Sequence, residues 1–214
     1  MMDFEQQRRR IVELLEREGY ITNEDVKRAM LKVPREEFVV EEYRDLAYSN
    51  TPLPIPGGVT ISAEHMHAIY LSNLELKPGD KVLEIGAGSG ILLAYMKEIV
   101  GEKGEVYGVE IIPETYEFAK RNLMKTGYLN KVKLFLGNGC RGLPEFAPFD
   151  KIACSAAASK IHEEWKRQLK LGGILLTPLK TKYGQELIRL KKVGEDEYEQ
   201  EMICPVIFVD LVET

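Results

Sequence analysis

Apolar positions follow a helical period in the first 50 residues and mostly a strand period after residue 80. Phe4, Ile11, Leu14 and Leu15 fall on one face, predicting a helix that Gly19 ends. Val26, Ala29, Met30 and Val33 form a second stripe, stopped at Pro34. Thr22, with Asp25 three positions on, resembles a capping box for that second helix. Between Asn50 and Thr60 the pattern breaks. Pro52, Pro54, Pro56, Gly57 and Gly58 leave no room for a regular element, and a stiff loop of this length tends to serve binding. Met66, Ile69 and Tyr70 then open a helix, with Ser62 where its N-cap should stand.

Beyond this point strands and helices alternate. The apolar run Val82, Leu83 and Ile85 suits a strand buried on both faces, and Leu92, Tyr95, Met96 and Ile99 recur behind it at helical spacing. Further strands are expected over 105–110, 132–137, 149–157 and 174–179, with helices over 113–126 and 161–169. Runs over 185–191 and 202–211 have no helix between them and so predict an antiparallel pair. The whole reads as one α/β domain whose strand ends share a carboxyl edge.

Composition narrows the partners. The 214 residues carry a formal net charge of −5, so the surface as a whole does not attract nucleic acid, and Arg8 to Arg10 read as a solvated helix face. No apolar run approaches the ~18 residues of a membrane span. The start, Met1-Met2-Asp3-Phe4-Glu5, is too polar for a secretory signal. Cys140, Cys154 and Cys204 have no metal-ligand spacing and an odd count, which suits reduced thiols in the cytoplasm.

The candidate chemistry sits at the expected strand ends. Gly86, Gly88 and Gly90, with Ala87 and Ser89 between them, leave a strand and enter a helix, an opening suited to a nucleotide. A dinucleotide fingerprint would want glycine at position 91, where Ile91 stands. Glu110 closes the next strand, followed by Ile111, where such sites hold a carboxylate for ribose hydroxyls. Gly137-Asn138-Gly139 requires tight backbone, and the Asn138 amide can either pair with an adenine edge or simply make a turn. Ser62 is open to two readings, a helix cap or a hydroxyl that joins the free helix-start amides in holding an anion. His65 and His67 lie two apart and make a poor metal pair, so no metal is expected. The turn expected after the fourth strand, Cys154-Ser155-Ala156-Ala157, lacks the Pro-Pro-aromatic motif of DNA amino methylation. Cys204-Pro205 reverses the Pro-Cys order of pyrimidine carbon methylation.

Glu84 with Gly-x-Gly-x-Gly looks like the first motif of S-adenosyl-L-methionine-dependent methyltransferases, and the chain as a whole resembles the protein L-isoaspartate O-methyltransferase family. The resemblance rests on Val33-Pro34-Arg35-Glu36-Glu37-Phe38-Val39, Asp45-Leu46-Ala47-Tyr48, Thr51-Pro52-Leu53-Pro54-Ile55, Thr60-Ile61-Ser62-Ala63 before His65-Met66, Leu143-Pro144, Ala147-Pro148-Phe149-Asp150, Gln168-Leu169-Lys170 and Val206-Ile207-Phe208-Val209. It implies a class I, Rossmann-like methyltransferase sheet of about seven strands. Residues 1–50 would form a helical cover, 51–62 a substrate loop and 78–214 the cofactor-binding sheet of a single domain. The implied activity is transfer of a methyl group from S-adenosyl-L-methionine to the α-carboxyl of isoaspartyl residues in age-damaged proteins. The implied enzyme is a cytoplasmic monomer that uses neither nucleic acid nor a membrane.

By the same resemblance Ser62 is catalytic. Glu84, Gly86, Ala87, Gly88, Ser89, Gly90, Glu110, Ile111, Gly137, Asn138 and Gly139 hold the cofactor, and Pro56, Gly57, Gly58, Val59, Thr60, Ile61 and His65 meet substrate. Three positions depart from the family pattern: Val59 for Gln, Glu64 for Pro and Asn138 for Asp. Glu64 adds a negative charge that should repel an anionic substrate unless it faces solvent or favours the helix N-terminus, so Glu64→Pro should leave activity intact or raise it. A carboxylate nucleophile is ionised at neutral pH, since its pKa is about 4, and needs no general base. Two alternatives stay open: a methyltransferase for a small molecule or tRNA, and a non-catalytic binder of the same cofactor.

Overall fold

The computed structural model describes residues 3–213; Met1, Met2 and Thr214, and with them the first two positions of the polar start, lie outside the described residues. Helices α1 (Phe4–Arg17) and α2 (Glu24–Lys32) form the cover. Asp3 and Gln6 cap α1 reciprocally, Asp3 accepting from the Gln6 amide at 2.8 Å. For α2 the cap is Asn23, not Thr22. The Asn23 side chain accepts from Val26 N at 3.0 Å, a geometry that leaves the Thr22–Asp25 pairing no part.

The proline-rich segment is more ordered than its composition suggests. Strands β1 (Leu53–Ile55) and β2 (Val59–Ile61) form an antiparallel hairpin with Leu53 opposite Ile61. An isolated two-stranded ribbon has two edges, which is where proline is tolerated in a strand. The hairpin tip is anchored as well. Thr115 Oγ1 donates to Pro56 O at 2.8 Å, and a Cβ on Gly57 would lie 2.2 Å from that hydroxyl oxygen.

Helix α3 (Glu64–Leu74) follows the hairpin. The main sheet contains β3 (Lys81–Ile85), β4 (Glu105–Glu110), β5 (Lys133–Leu136), β6 (Phe149–Cys154), β7 (Leu169–Thr181), β8 (Gly184–Lys192) and β9 (Tyr198–Val206). Its seven strands run in the order β5-β4-β3-β6-β7-β8-β9. The pairs among β3 to β7 are parallel, and those of β7 with β8 and β8 with β9 are antiparallel, as the missing helix predicts. Helices α4 (Ile91–Val100), α5 (Pro113–Lys125) and α6 (Glu163–Arg167) supply crossovers. Connections diverge on either side of β3, so the loops after β3 and β6 flank the crevice where such sheets bind ligands.

Two expected strands end early. β6 stops at Cys154 and β9 at Val206. β7 starts early at Leu169, although Gly172-Gly173 suggests a break; the chain crosses so close to β6 that a Cβ on Gly173 would meet Asp150 O at 2.9 Å. One apolar cluster joins the sheet to the cover, α3 and α4 through Leu15, Met30, Phe38, Leu71 and Leu176. A second, on the far side of the sheet, centres on Leu83, Phe149, Ile152 and Trp165.

Candidate active site

The glycine loop leaves β3 with Gly86, Gly88 and Gly90 at φ of 80°, 56° and 86°, a left-handed backbone that side chains disfavour. A Cβ on Gly86 or Gly88 would meet nothing nearer than 3.9 Å, so these two glycines border open space. Gly90 serves packing instead. Its Cβ would press on Leu123 at 3.1 Å, where α4 starts against α5.

Glu110 turns its carboxylate into this loop. Oε2 accepts from Gly88 N at 3.0 Å, and Oε1 accepts from Ile111 N at 2.8 Å and Ile112 N at 3.0 Å. The loop and the end of β4 are thereby fixed to each other.

Glu84 lies below, almost fully buried. Its Oε1 accepts from Ser155 Oγ at 3.0 Å, whereas Oε2 has no hydrogen-bond partner among the described residues. Burial, with the Glu110 charge adding to it against the Ser155 bond, holds the Glu84 carboxyl well above the usual carboxylate range. An orphaned buried acceptor lining a cleft calls for a cationic donor.

These groups line a cleft of about 880 Å³, partly open to solvent. It takes in Glu84, Gly86, Ala87, Gly88, Ser89, Glu110, Ile111 and Gly139 from the expected cofactor set, and Val59, Thr60, Ile61 and Ser62 from the hairpin side. Gly90, Gly137 and Asn138 are not among its lining. Asn138 Oδ1 accepts from Cys140 N at 2.8 Å, which is the turn reading of Asn-Gly. Gly139 reaches the cleft because Trp165 Nε1 donates to its carbonyl at 2.8 Å and because it packs too tightly on Ile85 for a Cβ. Pro56, Gly57 and Gly58 stay outside, forming the turn between β1 and β2.

A second groove, lined by Pro52, Thr60, Ser62, His65, Met66 and Ile207 among others, opens beside the first. The two share Thr60, Ser62, Met66, Ser155, Phe208 and Val209. Ser62 therefore stands in the wall between a cleft lined by glycines and carboxylates and a more open groove.

It does not cap α3. The N-cap residue is Ala63, without a side-chain bond; Asn50, at φ 55°, reaches across from before the hairpin. Its Oδ1 accepts from His65 N at 2.9 Å and lies 3.0 Å from His65 Nδ1. A carboxamide oxygen can only accept, so Nδ1 carries the proton and Nε2 is left as the acceptor of a neutral ring. Burial holds His65 below the usual histidine range, which favours that neutral form.

Glu64 corrects a further expectation. It faces neither solvent nor the helix terminus but is 1% exposed, with Oε2 accepting from Tyr95 Oη at 3.2 Å. The fully buried Arg35 holds Ala47 O at 2.6 Å through Nε and approaches His67 Nδ1 at 3.4 Å. Burial, the largest single influence, resists the Glu64 charge, and the field of Arg35 together with His67 and the Tyr95 hydrogen bond overcomes it, holding the carboxyl below its usual range. Proline at position 64 would remove the buried carboxylate from the field of Arg35 and the bond from Tyr95, so Glu64→Pro is expected to lower stability rather than leave activity intact or raise it.

Sequence reasoning missed Ser155, Ala156 and the segment Phe208 to Val212, all of which line the first cleft. The segment was hidden inside an overlong strand. Beyond β9 it crosses the crevice, with Leu211 N donating to Ala157 O and Ala157 N to Val209 O, both at 2.9 Å or less. Among the described residues no three His, Cys, Asp or Glu side chains group as metal ligands.

A mixed seven-stranded sheet, parallel from β3 to β7, with its glycine loop, strand-end carboxylate and buried acidic floor at the switch point defines an α/β methyltransferase of the S-adenosyl-L-methionine-dependent class. The match narrows further. Residues 6–214 fit the family model described as Protein-L-isoaspartate(D-aspartate) O-methyltransferase. The chain is 49% identical to the protein-L-isoaspartate O-methyltransferase of Hyperthermus butylicus, over 98% of this chain and 90% of that one. To the protein of the same name from Staphylothermus marinus it is 46% identical, over 98% and 95%. Among solved structures it is similar to one assigned as a protein-L-isoaspartate O-methyltransferase of Plasmodium falciparum, in complex with S-adenosyl-L-homocysteine. That similarity has a TM-score of 0.87 at 31% identity, covering 95% of this chain and 97% of the other. The chain belongs to the protein-L-isoaspartate O-methyltransferase family.

Proposed function

We propose that the chain methylates the α-carboxylate of L-isoaspartyl residues in damaged proteins, with S-adenosyl-L-methionine in the glycine-lined cleft, the peptide in the adjoining groove and Ser62 at the junction. The observation that carries this reading is the shared wall: Ser62 borders both spaces. The site residues suit the cofactor. Glu84 Oε2 offers a buried acceptor for the ammonium group, Glu110 retains acceptor capacity for ribose hydroxyls, and Gly86 and Gly88 let backbone approach the ligand.

When bound, S-adenosyl-L-methionine supplies a methyl group on a sulfonium, so forming the C–O bond and breaking the C–S bond leaves a neutral ester and a neutral thioether. No proton changes hands. The chain has only to align the carboxylate and strip its water. Ser62 Oγ donates a hydrogen bond to the substrate carboxyl, Thr60 and Met66 wall the passage, and the His65 Nε2 lone pair accepts from a peptide N–H. Pro56, Gly57 and Gly58 act through the fold of the hairpin rather than by touching substrate.

The net charge of −5 favours proteins over nucleic acid as partners, and no helix among the described residues is long and apolar enough to cross a membrane. A single domain working as a cytoplasmic monomer belongs to the same reading. Transfer of labelled methyl to an isoaspartyl peptide, lost in Ser62→Ala while cofactor binding persists, tests it; retention of full activity in that variant contradicts it.

A further inference from the structure

Two residues after Ser62, the chain places a buried carboxylate whose task lies outside methyl transfer itself. Glu64 opens α3 and points inward, 1% exposed, while Ser62, just ahead of the Ala63 N-cap, faces the junction of the clefts. The surroundings of Glu64 come from three separate elements. Tyr95 of α4 donates to it at 3.2 Å, and His67 of α3 has Nδ1 at 3.7 Å from Oε2. Arg35, from the turn after α2, lies within reach of the same His67 nitrogen at 3.4 Å. His67 Nδ1 thus stands between a guanidinium, which only donates, and a carboxylate, which only accepts; burial, the leading cause, holds the ring below the usual histidine range.

Arg35 is fixed from behind. Its Nε donates to Ala47 O, and its backbone N donates to Tyr48 Oη at 3.1 Å, which in turn donates to Glu36. Its Nη2 has no hydrogen-bond partner among the described residues, and the buried carboxylate of Glu64, reached through His67, lies within its field. Two opposite buried charges fix the separation of the parts that carry them more sharply than apolar contact, because either one unpaired is costly.

We propose that Glu64, held by Tyr95 and linked to Arg35 through His67, is a positioning residue for methyl transfer: it ties the first turn of α3 to the cover and to α4 and so sets where Ser62 stands. The inference rests on the reading of Ser62 given above. Its consequence is that a change at Glu64 reaches catalysis only through Ser62. A hydroxyl displaced by about 1 Å can cost as much as a hundredfold in rate.

The test is a cycle of Glu64→Gln and Glu64→Asp, each made with Ser62 and with Ser62→Ala. Turnover on an isoaspartyl peptide is measured at saturating cofactor, at a temperature where near-ultraviolet circular dichroism shows every variant folded. With Ser62 present, each Glu64 change should lower kcat by about tenfold or more, with the dissociation constant for S-adenosyl-L-methionine held within about twofold. With Ser62→Ala, the same changes should lower kcat by no more than about twofold. Glu64→Asp keeps the charge and shortens its reach by one methylene, so it carries the comparison alone if Glu64→Gln does not fold. Unchanged kcat, or an equal loss in both backgrounds, overturns the inference. If Ser62→Ala by itself leaves kcat unchanged, the functional reading falls first and this inference with it.

Discussion

Ser62 can be separated from a capping role because the cap of α3 is supplied elsewhere, by Asn50 on His65 N. Ser62→Ala is therefore expected to lower kcat strongly while the melting temperature and the cofactor dissociation constant barely move. Loss of a cap would cost about 1 kcal/mol, so a stability deficit of that size with normal turnover would contradict the assignment. Glu110→Ala removes an acceptor for three backbone amides and, in the proposed site, for the ribose hydroxyls. Hydrogen bonds to a charged group contribute about 1.5–3 kcal/mol, which predicts more than tenfold weaker cofactor binding by calorimetric titration. Glu84 yields a prediction in pH. Its folded pKa is raised above 4.5, so its neutral form favours the fold; that contribution is complete below pH 4.5 and is lost as pH rises through the folded value. An ammonium beside it favours the ionised form, so binding should release a proton. Titrations in two buffers of different ionisation enthalpy should show that release in the native protein and none in Glu84→Gln.

At the scale of elements, periodicity reported the helices and most strands because α/β crossovers repeat a simple pattern of apolar spacing. Glu110 and the glycine loop were legible for the same reason, being tied to strand ends. What could not be read were arrangements made by distant partners. Asn50 and His65 are fifteen residues apart, and only folding the hairpin between them creates the cap. Ser155 meets Glu84 across two strands, and the Phe208–Val212 segment crosses the crevice only because β9 ends at Val206. The hairpin itself escaped because its prolines argue against a strand until its edges are known to be free. Asn50→Ala, which removes the cap and leaves alanine at a positive φ, should lower stability by about 1–2 kcal/mol in denaturant unfolding. Stability unchanged by that substitution would show that α3 starts without help from Asn50.

At the scale of the whole molecule, the turn after α2, α3 and α4 meet around Arg35, His67 and Glu64, so the cover is tied to the helix that follows Ser62. This explains why Glu64 is buried where the sequence suggested a charge near the substrate: the cation whose field it meets lies about thirty residues upstream, on another element. The central claim is the junction at Ser62, which borders both the glycine-lined cleft proposed for the cofactor and the groove proposed for the peptide. An isoaspartyl linkage lengthens the backbone by one methylene and leaves the α-carboxyl free, which a site framed by the backbone of the hairpin can distinguish from a normal aspartyl residue. The most direct measurement is labelled methyl transfer to two peptides that differ only in isoaspartyl against aspartyl at one position. Methylation of the isoaspartyl peptide with the aspartyl one left essentially untouched is the predicted result; equal rates on both, or methylation of neither while S-adenosyl-L-methionine still binds, would contradict it.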